Sequence, residues 1–232
     1  MSNLVSYGLE SGVATVTMDD GKVNALSLAM QAQLNQAFDQ AEADRAVVVL
    51  TGRPRVFSAG FDLSVLKAGG SDAAAMLRGG FDLAARLLAF PAPVVIACTG
   101  HAVAMGVFLL LSGDYRLGVD ADCKITANEV AIGLTMPRAA VEICRQRLTP
   151  PHLHRAVVLA EPYSSATAVG AGFLDRVVPV TELLDTARGV ANALLGLDRA
   201  AHAATKLRIA APTLSALRVA IDADDAEFRA RG

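Results

Sequence analysis

Charge is scarce in this chain, and so are long apolar runs. Of its 232 residues 19% are charged, and the formal net charge is -2. That balance leaves no electrostatic footprint for nucleic acid or for an anionic membrane surface. No uninterrupted apolar run reaches the length of a membrane span. The most apolar stretch, residues 100–112, is short, leads into Gly113-Asp114 and reads as a buried core helix. The opening MSNLVSYGLES has no basic start followed by an apolar stretch, so no signal peptide is expected. Cysteine is limited to Cys98, Cys123 and Cys144, widely separated and in apolar settings, which reads as buried thiols in a reducing, cytoplasmic compartment. No Cys/His spacing suggests a metal site. Gly/Ser linkers, low-complexity tracts and internal repeats are also missing.

What the chain has is core-forming material. It is 53% hydrophobic, enough for one large domain, or a domain with a small appendage, and for surface buried in an oligomer. Residues 4–9 and 13–18 are short, β-branched, alternating runs around Glu10-Ser11-Gly12, which predicts a hairpin. From residue 27 to 44 the period becomes helical. Met30, Leu34, Ala37, Phe38 and Ala41 share a face, and Ser27 is placed to cap it. Residues 47–50 and 94–97 are continuous apolar runs, the pattern of strands buried on both faces. A helix is expected over residues 73–89, weakened by Gly79-Gly80. Residues 115–119 and 124–127 read as further strands. The alternation argues for α/β. After Pro137 helices are expected over residues 138–148, 152–160, 165–171, 181–195 and 214–229. The division expected is an α/β core over 1–190 and a helical region over 191–232.

Four segments carry candidate chemistry: Asp20-Gly21-Lys22-Val23-Asn24-Ala25-Leu26-Ser27, Val56-Phe57-Ser58-Ala59-Gly60-Phe61-Asp62-Leu63, Gly100-His101-Ala102-Val103-Ala104-Met105-Gly106 and Asn128-Glu129-Val130-Ala131-Ile132-Gly133. The second and third each place small residues and a glycine just after a strand, where a ligand can approach the backbone. The third opens an apolar helix, whose first N–H groups point outward and favour negative charge. Two such groups converging on one oxygen would stabilise an oxyanion. Structural turns alone also look like this. Glu129, followed by Val130, Ala131 and Ile132, is a candidate desolvated base; a solvated loop glutamate is the other reading.

Taken in order, these segments resemble the crotonase, or enoyl-CoA hydratase/isomerase, superfamily from about residue 4 to residue 220. Tyr163-Ser164-Ser165-Ala166 and Gly172-Phe173-Leu174-Asp175-Arg176-Val177-Val178 extend the likeness. The resemblance implies a spiral of ββα units with a C-terminal helical trimerisation region. It implies an acyl-CoA substrate that brings its own coenzyme A, no further cofactor, and a homotrimer or a dimer of trimers. The N–H groups of Phe61 and Met105 would form the oxyanion hole, with Gly60 and Gly106 as the turn glycines. Lys22, Val23, Ala25, Ala59, Gly60, Asp62, Leu63 and Gly106 would hold the substrate and its CoA. Lys206 would meet a CoA phosphate or be an ordinary surface lysine.

Hydratases of the family use two glutamates. Glu129 matches the second, because Gly133 follows at the family spacing. The first position is Phe108 here, and no acid occurs from residue 100 to residue 113. One carboxylate in a drier pocket favours moving a proton over capturing water. The expected reaction is therefore the shift of a 3-enoyl-CoA double bond to 2-enoyl-CoA, with Glu129 as proton shuttle. Alternatives are a hydratase, lyase or hydrolase using another second group, and a non-catalytic acyl-CoA binder. The family's Pro-Gly after this glutamate is altered: Pro137 lies one residue further on. Phe57, Leu66, Met76, Leu77, Phe81 and Phe108 are candidate walls for the acyl chain. His101 and Asp114 are read as structural.

Overall fold

A computed structural model describes residues 3–231. The predicted hairpin is β1 (Val5–Glu10) and β2 (Val13–Met18), paired antiparallel. Helix α1 (Leu28–Ala43) begins at Ser27, whose side chain accepts from the Met30 N–H, and its buried face includes Met30, Leu34, Ala37, Phe38 and Ala41. Three turns of a spiral follow. The first is β3 (Val47–Thr51), β4 (Arg55–Ser58), α2 (Leu63–Ala68) and α3 (Gly70–Ala89). The second is β5 (Val94–Cys98), β6 (Gly100–Val103) and α4 (Met105–Leu111). The third is β7 (Tyr115–Val119), β8 (Ile125–Thr126) and α5 (Arg138–Arg145). Then come α6 (Pro150–Val157), α7 (Ser165–Ala171), β9 (Arg176–Val178), α8 (Leu183–Leu194) and α9 (Arg199–Arg231).

The strands form two sheets. One has six strands in the order β1-β2-β3-β5-β7-β9, parallel from β2 onward. The other has three parallel strands, β4-β6-β8. Alternation explains the all-apolar runs of β3 and β5. Val48, Leu50, Val94 and Ile96 enter the main core, while Val47, Val49, Val95 and Ala97 face a second layer with Leu183, Ala187 and Ala191 of α8. A strand buried on both faces has no polar side to reveal its period.

Several expectations change. Residues 100–112 are not one helix. The first four residues are β6, and α4 starts only at Met105, after Ala104 takes φ 51° and ψ -126°. Gly79-Gly80 does not interrupt α3, and neighbours fill the space a side chain would need: a Cβ on Gly80 would overlap the Phe61 ring, and one on Gly79 the Gln31 amide. The short elements β4, α2 and β9 carry no periodic signal. Helix α9 begins at Arg199, well before residue 214, and runs through Pro212. Residue 190 lies inside α8.

Candidate active site

The three strands of the smaller sheet bring the third, fourth and second segments together. Each ends at its carboxyl edge in one of them: β4 in Ala59-Gly60-Phe61, β6 in Ala104-Met105, and β8 in Asn128-Glu129. Parallel pairing of Ser58 with Ala102 and of Val103 with Thr126, together with the Ala104 N–H donating to the Thr126 carbonyl at 3.0 Å, sets the three ends side by side. The crevice beyond the carboxyl ends of parallel strands is where such folds bind ligands.

The first segment is stitched to the second. Asp20 accepts from the N–H groups of Lys22, Asn24 and Ala25 at 2.7–3.0 Å. Burial pushes its carboxyl pKa up, but these hydrogen bonds and Arg53 outweigh that and leave it lowered. Asn24, fully buried at φ 51°, donates to the carbonyls of Met18 and Phe57 at 3.0 and 3.1 Å. Ser58 Oγ donates to the Asn24 carbonyl at 2.7 Å. The Ala59 N–H donates to the Val23 carbonyl at 3.0 Å and the Leu26 N–H to the Gly60 carbonyl at 2.8 Å. Asp20, Asn24 and Ser58 lie inside the first and second segments, yet nothing in their spacing marks them as the ties. Lys22, Val23 and Leu63 are exposed, and Asp62 caps α2 through the Ser64 N–H at 2.8 Å.

The second and third segments touch at their glycines. Gly60 has φ 90°, and a Cβ there would lie 2.9 Å from Ala104 Cβ and 3.1 Å from Met105 N. A Cβ on Gly106 would overlap the Ser58 carbonyl. No hydrogen bond among the described residues uses the N–H of Phe61 or of Met105. The Met105 side chain is fully buried, so this residue offers its backbone. The positive φ of Ala104, costing of order 1–3 kcal/mol, ends β6 and turns the next amide toward Gly60. Two free amides at adjoining loops can hold one oxyanion.

Glu129 precedes a 3-10 turn, Val130–Ile132, closed by Gly133 at φ 81°. It is 7% exposed, and its Oε2 is shut off from solvent with no partner among the described residues. Desolvation raises its pKa from 4.5 to about 7. The source of that desolvation differs from the expectation. Val130, Ala131 and Ile132 are themselves exposed. Tertiary neighbours bury the carboxylate instead; the fully buried Cys144 of α5 is close enough for the Glu129 charge to raise its thiol pKa further. Phe108, 1% exposed, stacks on Phe81 at 6.1 Å, and Phe81 meets Phe61 edge-on at 6.1 Å. Apolar aromatic surface thus leads from the Phe61 loop to a cavity of about 330 Å³ lined by Leu77, Phe81, Met136, Ile221 and Phe228 among others. Phe57 and Met76 are buried, but neither lines this cavity.

Lys206 is not brought to these loops. Its ammonium is 2.6 Å from Asp114 Oδ2, just past the end of α4 opposite to Met105, about 10 Å along a seven-residue helix. His101 Nδ1 accepts from the Lys124 N–H at 2.9 Å, a backbone-supporting role.

A sequence profile described as enoyl-CoA hydratase/isomerase matches residues 8–231. The chain belongs to this family. A probable enoyl-CoA hydratase from Mycobacterium tuberculosis H37Rv is 50% identical, with 97% of this chain and 96% of that chain covered and a TM-score of 0.95. The human mitochondrial Δ3,Δ2-enoyl-CoA isomerase is 28% identical, with 97% and 90% covered and a TM-score of 0.91. Carnitinyl-CoA dehydratase from Salmonella paratyphi A is 27% identical over 209 residues, 89% of this chain and 80% of the relative. The spiral of ββα units is the crotonase fold, and this member of the enoyl-CoA hydratase/isomerase family is an acyl-CoA enzyme.

Proposed function

We propose that this enzyme moves the double bond of a 3-enoyl-CoA to the 2-position. The thioester oxygen accepts from the N–H groups of Phe61 and Met105. Glu129 removes a proton from C2, the amides hold the dienolate, and the same carboxyl returns the proton at C4. CoA enters as part of the thioester, along the wall of Lys22, Val23, Ala25, Ala59, Asp62 and Leu63, and no separate cofactor is called for. The observation that carries this reading is the buried Glu129 carboxyl, its Oε2 without a partner among the described residues and its pKa raised to about 7. A group with that pKa both takes and gives a proton near neutrality. Phe108 against Phe81 supports a dry site. The likeness to the human isomerase supports the same reaction.

Hydration is the second reading, favoured by the carnitinyl-CoA dehydratases among the relatives. A binder without catalysis has no use for a desolvated carboxylate. Separate absorbance assays with 3-enoyl-CoA and crotonyl-CoA discriminate these. Conversion of the 3-enoyl substrate alone, lost in Glu129→Gln, is expected. Rapid hydration of crotonyl-CoA overturns the isomerase reading in favour of the hydratase, and tight binding without turnover favours the binder. A trimer, or a pair of trimers, in the cytoplasm completes the proposal. The exposed apolar turn at Val130, Ile132 and Leu134 and the three free buried thiols support these two points respectively.

A further inference from the structure

Gln31 is a polar side chain in the buried face of α1, only 4% exposed. Both N–H groups of its amide are used. Nε2 donates to the Leu26 carbonyl and to the Met76 carbonyl of α3, each at 2.9 Å. Gly79 is what lets α3 come so close: a Cβ there would overlap Gln31 Oε1. The segment just before α1 is thereby pinned to the middle of α3.

Leu26 passes that constraint on. Its N–H donates to the Gly60 carbonyl at 2.8 Å. The Gly60 carbonyl and the Phe61 N–H belong to one planar trans peptide, so they point in opposite directions. Fixing the carbonyl end therefore fixes the direction of the N–H end. The Phe61 side chain is seated on the same helix. A Cβ on Gly80 would overlap the Phe61 ring and lie 3.5 Å from Met105 Cγ, so the side chains of both amide donors meet at this one glycine. A glycine inside a helix weakens it relative to alanine. Neither Gly79 nor Gly80 has the positive φ that would call for one. Close approach is what they supply, and it holds the Phe61 peptide from two sides.

We propose that Gln31 is a positioning residue for the oxyanion hole: seated on Gly79, it orients the Phe61 amide toward the thioester oxygen through Leu26 and Gly60. The role rests on the reading of the Phe61 and Met105 amides as that hole, and not on which reaction follows. The readout is the infrared carbonyl stretch of octanoyl-CoA, isotope-labelled at the thioester carbon and bound to the full chain. This saturated thioester has no double bond to shift or to hydrate. Hydrogen bonds to its oxygen lower the stretch, so the wild type is expected to lower it against free octanoyl-CoA. In Gln31→Met, similar in length but without donors, and in Gly79→Ala, the stretch is expected nearer the free value. In both, kcat for whichever enoyl-CoA the enzyme turns over is expected to fall about tenfold or more with KM nearly unchanged, a partial loss of one oxyanion donor. Gly189→Ala, at an exposed helical glycine with nothing within 4 Å of an added Cβ, is the control and leaves stretch and kcat unchanged. Gly79→Ala introduces a better helix former and keeps the test open should Gln31→Met unfold. The full wild-type lowering in folded Gln31→Met or Gly79→Ala overturns the positioning role and leaves the hole in place. No lowering in the wild type overturns the hole itself, and the role with it.

Discussion

At Glu129, the proposed reaction couples activity to stability through one carboxyl group. Its folded pKa of about 7 lies above the unfolded value of 4.5 because burial penalises the charge. The folded state therefore holds this proton more tightly, and stability falls as pH rises from 4.5 through 7. The difference corresponds to about 3 kcal/mol at most. Glu129→Gln is expected to raise the urea midpoint at pH 8 and to leave it unchanged at pH 4.5, measured by equilibrium unfolding. The same variant is expected to lose about 10²–10⁴-fold in kcat/KM for 3-enoyl-CoA. For the wild type, kcat/KM should rise with pH and level off above about 7, as the base must be ionised to take the first proton. A flat profile from pH 5 to pH 9 contradicts this assignment. The residue was legible as a candidate from Gly133 and from the family pattern. Its desolvation was not, since the apolar residues beside it in sequence point outward and the burial comes from elsewhere in the chain.

At the scale of elements, the site depends on two loops meeting without side chains between them. Gly60→Ala combines φ 90° with a Cβ 3.1 Å from Met105 N, so it separates the two amides. Losing one well-placed donor costs about 2.7–4 kcal/mol of barrier, and kcat is expected to fall about 10²–10³-fold while KM changes little. Gly106→Ala, which presses on the Ser58 carbonyl, should behave similarly. Steady-state kinetics on both variants checks this; activity close to wild type in either would remove the loops from the mechanism. The glycines were visible as loop signals. What they make room for was not, because Ser58 and Gly106 meet only through the pairing of β4 with β6.

For the whole molecule, α9 closes the fold. Arg78 on α3 pairs with Asp222 at 2.8 Å, and Asp224 accepts from the N–H groups of Arg138 and Ala139 at the start of α5. At its other end Lys206 reaches Asp114. Removing one partner of a buried pair leaves an uncompensated charge, so Asp114→Ala is expected to destabilise by about 3 kcal/mol, read by urea unfolding. The exposed pair Arg78–Asp222, 40% and 61% exposed, should contribute below about 1 kcal/mol. The apolar turn beside Glu129 leads to a further expectation. Ile132→Asp, at a position 53% exposed, should shift the proposed trimer to monomer in light scattering after gel filtration. An unchanged mass would remove that turn from the interface.

By itself the sequence determined the elements with strong period or strong caps: the hairpin, α1 with Ser27, and the apolar strands β3 and β5. It also determined the order of the chemical segments and the missing acid at Phe108. These are local facts, carried by side-chain spacing and residue type. Tertiary structure decided where residues 100–112 change from strand to helix, what fills the space beside the two glycines of α3, what buries Glu129, and that Lys206 answers Asp114 at the far end of α4. Each of those depends on contacts between residues distant in the chain, and no local pattern of hydrophobicity encodes such a contact.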